Sequence, residues 1–339
     1  MNARVFKPAT ALLMGFLAQA PVAGQDTDAW APGRTAWGDP DLQGVYTFST
    51  QTPLERPEGL GNKETYTERE LAELEAQAAE RRATDEVAAA PGDLGASYNA
   101  YWTSNEKGQL VARTSLIVDP ANGRLPPLTE RTQEIHDERA AELASRQVGE
   151  PPFVYTRYAT WLDHPAYTRC VARPMPRIGQ AYNHGLQILQ TPGYVVIYYE
   201  SMHDTRFIPL DGRPHIDSSI RQWNGDSRGH WEGNTLVVDW RNFTDKQEFR
   251  GLGLPQGNMR FVERITKVGQ NTIEYEVTVH DPMTWTQPWT FIAPWRADDP
   301  NYQTPVDLYE FGCHEGNYRM MENSLNGSRA SREANTETE

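Results

Sequence analysis

From about Tyr167 onward, apolar and polar residues alternate in short runs separated by turn-forming residues. LQILQ, YVVIYYES and TRFIPLDG are divided by a TPG turn and an HD corner. RGHW and TLVVDW flank EGN, MRFVERITKV and TIEYEVTVHD flank GQN, and WTQPWTFIAPWR and VDLYEFGCHE end the series. Successive side chains of an extended chain point to opposite faces, so Phe261, Glu263 and Ile265 share one face while Val262, Arg264 and Thr266 share the other. The pattern predicts a mainly β protein with about eight antiparallel strands joined by short loops. A meander of that length removes its exposed edges by curling and closing, which predicts an up-and-down antiparallel β-barrel over residues 151–327. Because one face is polar or mixed, the interior is expected to hold a ligand.

Upstream, residues 25–150 read as an N-terminal extension carrying two helices. Its first part is rich in Pro, Gly and turn formers, has a single strand candidate at residues 44–48, and is expected to lie over the main body as an arm. TYTERELAELEAQAAERRATDEVAAA follows, with Thr67 and Glu70 at capping-box spacing and a thin stripe of Leu71 and Leu74. An apolar strand at residues 115–118 then runs into Asp-Pro and Asn-Gly turns, and a second charged helix is expected over residues 129–145. Residues 328–339 are polar and read as a frayed tail. Residues 1–24 read as a signal peptide: Arg4 and Lys7 precede the apolar ATALLMGFLAQA and the small-residue exit APVAGQ. A retained anchor is the alternative.

The formal net charge of −14 argues against nucleic acid and anionic membrane surfaces as partners, since both reward clustered Lys and Arg. After export, no stable membrane insertion is expected, because no later segment approaches the length of apolar chain that spans a bilayer. Export also changes the reading of the two cysteines, Cys170 and Cys313. An even number in an oxidising compartment is expected to pair, with two free thiols as the sharper alternative.

No Gly-rich phosphate loop, GxSxG elbow, HExxH or paired CxxC occurs in the chain. What remains is a set of histidines at strand ends. His184, His203 and His314 each have a polar neighbour able to orient the ring, namely Asn183, Asp204 and Glu315. His184, His203, His314 and Glu315 are therefore the candidate catalytic residues, with Tyr182, Asn183 and Arg206 placed to hold an oxyanion. The same three histidines would be the ligands of a divalent metal, although their spacing carries no metal signature. His215 and His280 read as turn residues. Trp223, Trp231 and Trp289 are candidates for an aromatic wall against a ring-shaped ligand, and core filling is the plainer account of such tryptophans.

RTSLIVDPANGRLPPLT, LQTPGYVVIYYE, GHWEGNTLVVDW and FGCHEGNY together resemble a large family of exported bacterial proteins of unassigned function. The hairpin GHWEGNTLVVDW is also loosely similar to lipocalin-like domains, which implies a lipocalin-like barrel and supports a periplasmic or secreted location. The leading expectation is an exported enzyme acting by acid/base, and optionally metal-assisted, chemistry on a small cyclic or aromatic molecule as a lyase, dehydratase, isomerase or hydrolase. The alternatives are a lipocalin-like binding protein for a hydrophobic small molecule and a cell-envelope structural protein.

Overall fold

The computed structural model describes residues 30–88, 110–145, 147–148, 154–155, 160–179, 183–246, 258–297 and 308–336. The expected signal peptide, residues 1–24, lies outside these. Strands β1 (Gly44–Thr47) and β2 (Ile117–Asp119) come from the N-terminal region, together with helices α1 (Glu68–Ala88) and α2 (Glu130–Ser145). A small separate ribbon pairs β3 (Gln147–Val148) with β4 (Val154–Tyr155). The remaining strands are β5 (Gly185–Thr191), β6 (Tyr194–Tyr199), β7 (Thr205–Pro209), β8 (Asp226–Glu232), β9 (Thr235–Arg241), β10 (Arg260–Gly269), β11 (Thr272–His280) and β12 (Trp289–Arg296), and helix α3 spans Cys313–Thr336.

Local chemistry accounts for most of these elements. The backbone N–H of Thr67 donates to the Glu70 carboxylate at 2.9 Å and the N–H of Glu70 donates to Thr67 Oγ1 at 3.3 Å, the reciprocal cap expected for α1. The EGN turn between β8 and β9 places Gly233 at φ 63°, a left-handed conformation that a side chain resists.

The ten-stranded antiparallel sheet runs in the order β7, β6, β5, β1, β12, β11, β10, β9, β8, with β2 added on β12. It departs from a simple meander at one place. β1 is inserted between β5 and β12, pairing Val45 with Gln187 and Thr47 with both Gly185 and Arg296. The N-terminal segment therefore joins the backbone ladders of two meanders, and β1 does not lie over them as an arm. Ala31–Glu339 is one compact unit.

The sheet is open, not closed: its two ends, β7 and β8, are consecutive in sequence and share no backbone ladder. β7 ends at Pro209, which has no N–H to offer a further strand. The two edges still meet through side chains. A Cβ on Gly229 of β8 would fall 2.7 Å from Ile208 Cγ2 and 2.8 Å from Leu210 Cδ2, so only glycine allows this approach. Beside it, Arg206 of β7 donates from Nε to Ser227 Oγ of β8 at 2.8 Å and forms a two-pronged ion pair with Glu263 of β10. Tyr275 of β11 donates its hydroxyl to the same carboxylate, and the guanidinium lies 3.7 Å from the centre of the Trp240 ring.

The inner face of the sheet is filled. Trp240, Trp285, Trp289 and Trp295 are buried with Tyr46, Tyr199, Tyr275, Phe261 and Phe291, and Tyr275 stacks on Trp295 at 4.2 Å. The polar residue that alternation placed on this face, Glu263, is wholly buried and paired, so it lines no ligand space. Two further expectations are corrected at the C-terminus. VDLYEFGCHE does not form a strand; residues 308–312 are irregular and Cys313 begins α3. Residues 328–336, expected to fray, continue that helix, and Ser328 is fully buried.

Breaking a buried ion pair by removing one partner strands the other charge. Arg206→Ala is expected to lower stability by about 3–5 kcal/mol, while replacing the set by Arg206→Met, Glu263→Leu and Tyr275→Phe together recovers most of that loss. Urea unfolding of the three proteins measures both. Gly229→Val is expected to cost about 1–3 kcal/mol in the same assay by forcing the two edges apart.

Candidate functional site

Of the sequence-predicted residues, Asn183, His184 and His203 lie at one end of the sheet, where β5 begins and β6 turns into β7. Glu200, Ser201, Met202 and His203 make that turn, closed by the Tyr199 N–H donating to the Asp204 carbonyl at 2.8 Å. Met202 and His203 both adopt left-handed backbone, at φ 66° and 52°, and so does Asn183 opposite them at φ 54°. Such conformations in residues other than glycine cost roughly 1–3 kcal/mol each and persist where surrounding contacts over-determine them.

Those contacts are visible. Arg177 is buried beneath the corner, donating from Nη1 to the Ser201 carbonyl at 2.8 Å and ion-pairing with Asp204 through Nη2. Arg173 donates to Ser201 Oγ at 3.1 Å, and Asn224 donates to the other Asp204 oxygen at 2.9 Å. Burial pushes Arg177 down to about 10 despite Asp204, and it pushes Asp204 up despite Arg177. Desolvation thus outweighs attraction in both partners, and the pair serves to hold the corner.

Glu200 is buried, and its carboxylate accepts from Asn183 Nδ2 at 2.7 Å. Burial raises its proton affinity above the ordinary carboxylate value, and Asn183, with the nearby backbone N–H groups of Gly185 and Tyr309, only partly opposes this. His184, buried beside Asn183, engages Thr47 Oγ1 through Nδ1 at 2.5 Å and meets the Phe48 ring edge-on. His203 is exposed; its Nδ1 lies 3.1 Å from the Tyr198 hydroxyl, and its ring sits 6.5 Å from that of Phe311 at 76°.

Cys170 and Cys313 form the expected disulfide. The bond ties the start of α3 to the segment that carries Arg173 and Arg177, and Asn317 one turn along donates to the Thr168 carbonyl at 3.1 Å. His314 and Glu315 lie in the first turn of α3, and their side chains, like the whole of Tyr182, fall outside the described residues. Among the described residues, no three His, Cys, Asp or Glu side chains are grouped as metal ligands.

Placement removes two expected substrate contacts. Arg206 is 4% exposed and bound to Glu263, and Trp289 is fully buried in the core. Alternation brings Arg206 to the inner face, and Asp204, expected to orient His203, is taken by Arg177. Trp231 packs partly buried against the core, and Trp223 is half-buried in the long connection before β8. His215, read as a turn residue, bridges Asp226 at 2.6 Å and Asp239 at 3.3 Å and pins that connection to β8 and β9. Glu200 and Phe311 are the site residues that the sequence reading missed. Glu200 had a signal, as the lone carboxylate ending the apolar run YVVIYY, but Phe311 had none without the path of the chain.

These elements define a mainly antiparallel β protein with an open ten-stranded sheet, three helices and one disulfide among its described residues. Among those residues no helix is long and apolar enough to cross a membrane. No family model matches the chain, and no curated protein sequence matches it. A solved structure similar to part of it is a "secretary abundant heat soluble (SAHS) protein" from Ramazzottius varieornatus, with 12% identity over 33% of this chain and 69% of that chain and a TM-score of 0.22. A likeness that slight carries no argument about fold or function.

The raised proton affinity of Glu200 has a thermodynamic sign. Between the ordinary carboxylate value and the raised one, the folded protein holds a proton that the unfolded chain has released, so stability falls as pH rises through that window. Glu200→Gln is expected to flatten this part of the profile, as read from thermal unfolding at a series of pH values.

Proposed function

We propose that this chain is an exported enzyme that works by acid/base chemistry on a small cyclic or aromatic molecule, at the corner between β6 and β7. The observation that carries the reading is a buried carboxyl with raised proton affinity, Glu200, three residues from an exposed imidazole, His203, on a turn held in left-handed backbone. A buried carboxyl beside an exposed imidazole can offer one ligand a proton donor and a proton acceptor. In this reading His203 takes a proton from the substrate and Glu200 supplies one. Asn183 orients Glu200, and His184, fixed by Thr47, braces Asn183 from the next position in the chain. That division of labour suits a lyase, dehydratase, isomerase or hydrolase alike.

A ligand carrier of lipocalin type is the weaker reading, because aromatic side chains occupy the inner face where such a protein would hold its cargo. The disulfide suits an oxidising compartment, which supports a periplasmic or secreted location and the resemblance to exported bacterial proteins.

Incubating the purified protein with a panel of lactones, phenolic glycosides and ring-bearing hydroxy acids, followed by mass spectrometry, tests the proposal. Turnover is expected to fall roughly 10²–10⁴-fold in both Glu200→Gln and His203→Ala with the fold retained. Turnover that survives both substitutions sinks it.

A further inference from the structure

The segment that enters α3 crosses the site and is fastened on both sides of Phe311. On one side, the backbone N–H of Tyr309 lies beside the Glu200 carboxyl and favours its charged form. On the other, Cys313 is bonded to Cys170, itself in left-handed backbone at φ 56°. The side-chain amide of Asn317 donates to Cys313 Sγ at 3.3 Å and to the Thr168 carbonyl at 3.1 Å, so the first turn of the helix grips the same anchor. Two fixed points four residues apart leave little freedom for the ring between them.

That ring faces two others. Phe311 lies 6.5 Å from His203 in an edge-to-face arrangement and 6.4 Å from Tyr167, tilted at 46°. Tyr167 is in turn covered by the Arg173 guanidinium at 4.8 Å, and Arg173 also holds Ser201 in the corner. The ring contacts beside His203 therefore present a wall of π faces and edges. Aromatic pairs favour offset or edge-to-face geometry and gain beyond their area burial, so such a wall discriminates a flat unsaturated ring from a puckered saturated one.

We infer that Phe311 is a specificity-determining residue of this site, held against His203 by the Cys170–Cys313 bond so that planar aromatic rings are admitted in preference to saturated rings of the same size. The inference rests on the corner being the site, and it narrows the proposed substrate class to aromatic or other flat unsaturated rings. Phe311 and Tyr167 are both half-buried while His203 is exposed, an arrangement that leaves room for a ring to pack on the aromatic wall beside the imidazole.

Acylation of His203 by diethyl pyrocarbonate reads occupancy without a known substrate. The Nδ1 nitrogen is engaged by Tyr198, which leaves Nε2 to react, and peptide mass mapping reports this histidine separately from the others. Phenol is expected to slow acylation of His203 several-fold at concentrations where cyclohexanol has no effect. Phe311→Ala is expected to abolish the difference between the two rings. Reduction of the disulfide by a dithiol, which delivers two electrons and two protons to give two thiols and is itself oxidised to a cyclic disulfide, is expected to abolish it as well. Hydrogen exchange should then rise in peptides covering 199–204 and 308–320 while β11 stays protected.

Equal protection by phenol and cyclohexanol, or protection by neither, overturns the inference. So does loss of protection in β11 on reduction, since the disulfide would then staple the whole fold and not the wall. The readout is occupancy, not turnover. Failure here removes the aromatic wall and leaves the acid/base pair untouched, whereas a turnover that survives Glu200→Gln and His203→Ala removes the pair and leaves the wall.

Discussion

One buried ion pair, Arg206 with Glu263, holds together the two ends of a sheet whose backbone does not close. Desolvating two charges this completely is costly, and the geometry answers that cost on every side. Glu263 receives both prongs of the guanidinium and the Tyr275 hydroxyl, while Arg206 also reaches Ser227 and rests on the Trp240 ring. Burial alone would lower the proton affinity of Arg206, but Glu263 beside it reverses the sign. Burial pushes the Tyr275 and Tyr199 hydroxyls upward and Glu263 adds to this while Arg206 opposes it, so both phenols stay neutral.

The candidate site hangs from this network. The Arg206 guanidinium lies beside the Tyr199 hydroxyl and favours its charged form, and Arg177 lies 4.4 Å from the centre of the same ring on its way to Ser201 and Asp204. Tyr199 is thus shared between the seam of the sheet and the corner that presents Glu200 and His203. A strained turn is kept in place by packed, charged elements behind it, while the exposed side chains in front stay free to meet a ligand. The disulfide adds the third support, bringing the start of α3 across the corner from the far end of the chain.

Much of the fold was legible because its signals are local. The α1 cap, the turns after β5, β8 and β10, and the strands they join follow from two- to four-residue chemistry and from period-two alternation. The same alternation placed Glu263 and Phe261 on one face, but it could not say whether a carboxylate on that face met solvent, ligand or a buried arginine. Helix α3 was hidden for a different reason. CHEGNYRMMENSLNGS carries two glycines and three asparagines in its first fifteen residues, all poor helix formers, so its helicity rests on distant partners: Cys170, Thr168 and His164.

The sequence by itself determined most of the strands, their turns and the expected pairing of Cys170 with Cys313. Each of these follows from residues near one another or from a count of two. Only the tertiary structure decided that β1 joins the two meanders, that Arg206 belongs to Glu263, and that Phe311 comes to lie beside His203. Those are choices among partners far apart in the chain, and they are made by burial: a charge or an aromatic ring excluded from water takes whichever partner the fold brings within reach.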